Sequence, residues 1–154
     1  MNRIAAVVSY LGMLVIAALT LLTGIDVVGR YAFNSPLPGA FELTEAFMAL
    51  VVAFGIVVTT AKDEHINVDA LFLKLRASVQ RALLLLASII GVLVFGAMSW
   101  KGMASGMDAV KSSETTLLLK VPVSPFKFVL AAGFLFSVIF LIDRIVRLLR
   151  NRRG

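Results

Sequence analysis

Four stretches of this chain, residues 4–25, 46–61, 82–100 and 128–142, run for fifteen residues or more without one charged side chain or histidine. A bilayer's hydrocarbon core is ~30 Å thick and takes about 20 helical residues to cross at ~1.5 Å each. The runs are continuous rather than alternating, so they read as helices and not as strands of a barrel. Flanking residues lengthen the shorter ones, and the expected spans are 4–25, 41–61, 82–101 and 123–143. Composition agrees: of 154 residues 60% are hydrophobic and 16% charged, against about 45–50% and about 25% in a soluble domain. The chain is therefore expected to be a single all-α membrane domain over 1–154 with four transmembrane helices.

The connections differ in kind. Asn34, Ser35, Pro36, Leu37, Pro38 and Gly39 form a cluster of helix breakers that ends the first span and turns the chain. Between spans two and three, Val68, Leu71, Phe72, Leu75 and Val79 recur at helical spacing among Asp69, Lys74, Arg76, Gln80 and Arg81. That pattern predicts a short amphipathic interfacial helix over about 67–80, lying along the membrane surface. Residues 101–120 make the longest connection on the other side, and Pro122 and Pro125 mark the start of helix four.

Charge sets the orientation. With both termini on one side, that side holds Arg3, Lys62, Lys74, Arg76, Arg81, Arg144, Arg147, Arg150, Arg152 and Arg153, ten of the fifteen Lys and Arg. The opposite side holds Arg30, Lys101, Lys111, Lys120 and Lys127. The positive-inside rule then places both termini in the cytoplasm, and the Arg-rich tail suits anionic headgroups of the membrane lipids. The net charge of +6 is thereby a topology signal and not a nucleic-acid footprint, which needs a soluble basic face. The first run exceeds the 7–15 residues of a signal-peptide core and is read as an uncleaved span.

Several chemistries are excluded. There are no cysteines and one histidine, so thiolate metal sites and bis-histidine haem are out, and no cofactor is expected. No His-Glu-x-x-His motif or Gly-rich phosphate loop occurs, so the chain is not read as an enzyme. The uncharged spans also lack the intramembrane ionisable groups that mark proton relays and substrate paths. Hydroxyls at Thr20, Thr23, Thr59, Thr60, Ser88, Ser99 and Ser137 could serve a sodium site, but none of the spans has the internal Pro of a broken helix.

Six residues stand out as structural or partner-interface candidates: Arg30, Glu42, Glu45, Gly55, His65 and Asp69. Arg30 lies four residues after Asp26, which suits a local helix pair, or it reaches Glu42 across the turn as a polar lock. Glu42 and Glu45 share a face in the first turns of helix two, where the helix dipole favours acids and where they could also anchor a partner. Gly55, with Gly91, Gly96, Gly102 and Gly106, would permit close helix approach. His65 and Asp69 would shape the inner turn, Asp69 or Asn67 as a helix cap.

From Arg30-Tyr31-Ala32-Phe33-Asn34-Ser35-Pro36 through Glu42 and Gly55 to His65-Ile66-Asn67-Val68-Asp69, the chain resembles the small, Q-type permease subunit of tripartite ATP-independent periplasmic (TRAP) transporters. Pro122 and Gly133-Phe134 are similar to that family's looser helix-four pattern. Gly39 stands where members usually carry a Trp, and Lys62-Asp63-Glu64 replaces a more basic turn. The resemblance implies a bacterial inner-membrane scaffold working with a large M-type permease subunit, which carries substrate and sodium, and with a periplasmic substrate-binding protein that captures an organic acid such as a C4-dicarboxylate or sialic acid. Two other classes compete. A small multidrug-type exporter acting as a homodimer would need a buried acid in the first span, and a quinone-binding redox anchor would have to manage with one loop histidine.

Overall fold

The computed structural model describes residues 2–61 and 76–150. They form four helices, α1 (Asn2–Ala32), α2 (Ala40–Ala61), α3 (Ala77–Lys111) and α4 (Ser124–Arg150), each long and apolar enough to cross a membrane. The all-α architecture and the number of spans follow the uncharged runs. Most of the expected interfacial helix, 67–75, lies outside the described residues, as do His65 and Asp69; residues 77–80 are the first turn of α3.

The helix ends obey local chemistry. Past Ala32, the carbonyl of Gly29 accepts from the N–H groups of Phe33 and Ser35, and Asn34 takes a left-handed conformation (φ 50°) before the two prolines. At the far end of α3, Ser113 is left-handed (φ 51°). The N–H groups of Ser113 and Glu114 donate to Val110 and Ala109, the paired closing bonds that satisfy a helix's last carbonyls. Helix α3 thus continues ten residues past Lys101, where charge had marked the end of the span. Ala, Met and Ser there sustain a helix, and only Ser112-Ser113 stops it.

The substantial helix contacts join α3 to α4, α4 to α2 and α2 to α1. The order across the molecule is therefore α1–α2–α4–α3, a row one helix thick. Helix association in lipid depends on close van der Waals fit, and small residues supply it at each crossing. A Cβ added at Gly102 would lie 3.1 Å from the Ala131 Cβ, and one at Gly106 would lie 2.8 Å from the Phe128 ring. Ser99, buried between α3 and α4, donates to the Ala131 carbonyl at 3.0 Å, and Phe95 and Phe134 meet with centroids 5.8 Å apart. On the other side of α4, Gly133 packs on the Ala53 backbone so closely that a Cβ would stand 2.9 Å from its carbonyl oxygen. Gly12 meets Phe54 at ordinary contact distance, while Gly55 and Gly96 have nothing near them. The glycines expected to let helices approach thus divide. Gly91, Gly102 and Gly106 face α4; Gly55 and Gly96 do not bring helices of this chain together.

These contacts also fix the register. Opposite Gly102, Gly106 and Gly91 stand Ala131, Phe128 and Leu141, so α3 and α4 run antiparallel with Lys101 level with Ala132. Helices α2 and α4 run parallel, with Ala53 level with Gly133.

Candidate functional site at the loop end of the helix row

The connections 33–39 and 112–123 emerge at the same end of the row, and several long-range polar contacts of the described residues gather there. Residues 114–123 fold back as a small hairpin. Thr116 donates its N–H to Val121, Val123 donates to Glu114, and Thr115 and Pro122 form an antiparallel bridge. At its tip the backbone N–H groups of Leu118 and Leu119 both donate to the Glu42 carboxylate, at 2.7 Å to Oε1 and 3.0 Å to Oε2. Glu42 stands in the first turn of α2, where the helix dipole already favours an acid. One side chain thus closes the loop between α3 and α4 onto the start of α2. The Leu119 side chain lies over Gly39, whose φ of +76° and lack of a Cβ are both required: a Cβ there would fall 2.5 Å from the Leu119 Cγ. Gly39, where a Trp would be usual in the resembled pattern, is the seat of the hairpin.

Asp26 does for the first connection what Glu42 does for the second. Its Oδ2 pairs with Arg30 at 2.8 Å and its Oδ1 accepts the Leu37 N–H at 2.9 Å. Arg30 therefore takes the local helix pairing, and the structure does not bring it to Glu42. The two acids work separately, each holding one loop by its main-chain amides. Such loops leave backbone donors that must find acceptors, and a carboxylate is a strong one. Glu42's role was hidden from sequence because its partners lie 76 and 77 residues away.

Beneath the hairpin a cleft of about 420 Å³ opens between α2 and α4, lined by Glu42, Glu45, Glu114, Lys127, Phe126 and Leu130 among others. Lys127 and Glu114 form an ion pair at 2.8 Å across its mouth. Glu45 is exposed in it and, among the described residues, has no hydrogen-bond partner. The hairpin tip itself points outward, with Leu117 94% exposed and Leu118 70%.

All the membrane hydroxyls singled out in the sequence except Ser99 make a bond within their own helix. Thr20, Thr23, Thr59, Thr60, Ser88 and Ser137 each donate to the carbonyl four residues back. Among the described residues no group of three His, Asp or Glu side chains is placed to hold a metal ion.

The geometry describes a multi-pass membrane protein whose polar groups order its own loops. Residues 19–151 match the family model of the tripartite ATP-independent periplasmic transporters, DctQ component, and the chain belongs to that family. It is the small permease component of such a transporter, a family of transport proteins and not of enzymes. No curated protein matches the chain closely enough to count as a relative.

Proposed function

We propose that this chain is the membrane scaffold of a sodium-coupled importer of an organic acid, such as a C4-dicarboxylate or sialic acid, and works with a large permease subunit and a periplasmic substrate-binding protein. The single-layer packing α1–α2–α4–α3 carries this reading. A row one helix thick cannot enclose an aqueous path by itself, but it can broaden the base against which a larger subunit moves. Large apolar side chains remain exposed along α1, α2 and α3, which in a bilayer meet lipid or another membrane chain. The loop end faces the periplasm and both termini face the cytoplasm of a bacterial inner membrane, in line with the excess of Lys and Arg at the tail end.

In this reading Glu42, with Arg30 and its partner Asp26, shapes the outer loops. The exposed Glu45 and the open Gly55 are contacts for the large subunit, and His65 and Asp69 shape the inner turn.

Reconstitution into proteoliposomes with a sodium gradient tests the proposal. Uptake is expected only when this chain, the large subunit and the loaded binding protein are all present, and it should collapse with the gradient. Transport by this polypeptide alone would instead make it an independent exporter. A reporter fused at Gly154 that is active only on the periplasmic side would reverse the topology.

A further inference from the structure

Helix α3 is out of step with its neighbours. With Gly102 opposite Ala131 and Ala53 opposite Gly133, Lys101 stands level with Ala132 on α4 and with Val52 on α2. That is one turn, about 6 Å, inside the uncharged stretch of α4 that begins at Phe128, and about 10 Å inward of Glu45. At the other end, Gly91 opposite Leu141 carries Leu83 and Leu86 past Ile142, to the level where α4 bears Arg144, Arg147 and Arg150. The apolar run of α3 is thus displaced by about 10 Å toward the tail end. It has a cation too deep at one end and exposed leucines too far out at the other.

Both misfits lie on one face. Leu83, Leu86, Ile90, Val94, Ala97 and Lys101 recur every three or four residues, are all exposed, and point away from the side buried by Ser88, Ser99, Gly106 and Ala109. Among the described residues Lys101 has no acidic partner. Lipid answers neither misfit well. A bilayer follows one helix by thinning or thickening, but it cannot move 10 Å for α3 and stay put for α4 beside it. An ionised side chain at membrane depth seeks an opposite charge or a route to the interface.

We infer that this seam on α3 also binds the large membrane subunit, in addition to the contacts at Glu45 and Gly55, and that Lys101 meets a carboxylate of that subunit there. The inference rests on the scaffold reading above and adds a further face and the charge on it. A single membrane-embedded partner resolves both misfits, since its surface can be offset as α3 is. A soluble protein would not reach Ile90, and a second copy related by two-fold symmetry would bring Lys101 to the same misfit twice.

The test is made in cell membranes with the small and large subunits co-expressed. A photo-crosslinking phenylalanine analogue at Ile90 or Ala97 is expected to give adducts of the small with the large subunit. With a tag on the small subunit, Lys101→Met should lower recovery of the large subunit about tenfold or more, as stranding a buried charge on the partner does, and Lys101→Arg should preserve it. Crosslinks to a second copy or to lipid alone, while the wild-type tag still recovers the large subunit, would overturn the assignment of the face. Undiminished recovery with Lys101→Met would overturn the ion pair and leave Lys101 as a side chain that reaches up to the headgroups. Failure of the wild-type chain to recover any large subunit would instead sink the scaffold reading.

Discussion

Helices α4 and α1 are equally apolar and both cross the membrane, yet they are held in opposite ways. Of the most apolar window of α4, 28% is buried within the chain, against none of α1. Helix α4 lies between two neighbours and meets both through residues without room to spare: Gly133 against the Ala53 backbone on one side, Ala131 against Gly102 and Ser99 on the other. Among the described residues, helix α1 makes its substantial contact with α2, at looser distance, and its firmest polar tie is Asp26 to the Leu37 amide. Hydrophobicity brings a helix into the bilayer, then, but small residues and a few directed bonds decide where it stays.

That contrast can be broken. Gly133→Leu should do the most harm, because the added side chain meets main chain that cannot step aside; overpacking of this kind costs about 1–3 kcal/mol, read as loss of folded protein in a detergent-unfolding titration. Asp26→Ala should cost about 1 kcal/mol through its two bonds and should show first as faster amide exchange at Leu37. If it cost as much as Gly133→Leu, α1 would be no loosely held edge. Ser99→Ala removes one interhelical bond and should cost about 0.6 kcal/mol, the usual value for such bonds in membranes. Gly24→Ala on α1, with nothing within reach, should be neutral or stabilise by up to ~1 kcal/mol through helix propensity. A clear loss at Gly24 would mean that α1 is packed more closely than its surroundings here show.

Much of this was legible in the residues. The uncharged runs announce four helices because charge inside a bilayer is so costly, and Pro36, Pro38 and Gly39 announce the first turn because no helix passes through them. The end of α3 was not legible. Lys101 reads as a membrane post, but a lysine does not stop a helix, and the chain coils on to Lys111. Nor could sequence give the partners of Glu42 or the tight seat of Gly133. Both depend on which residues of distant segments fall opposite one another, and that is set by packing across helices and not by any pattern along one. Gly55 illustrates the converse: its place in a familiar pattern invites a packing role, and the fold leaves it open.

The grip of Glu42 on the tip is on the amides of Leu118 and Leu119, so the outward side chains of Leu117 and Leu118 are free to vary, while Leu119 over Gly39 and the Thr116 hydroxyl are not. Leu117 and Leu118 could be exchanged for a fluorophore site or a short epitope, reporting from that surface while the row beneath keeps its shape. Proline is the exception: Leu118→Pro or Leu119→Pro deletes one of the two donors outright, and the hairpin should then come loose whatever its other residues are.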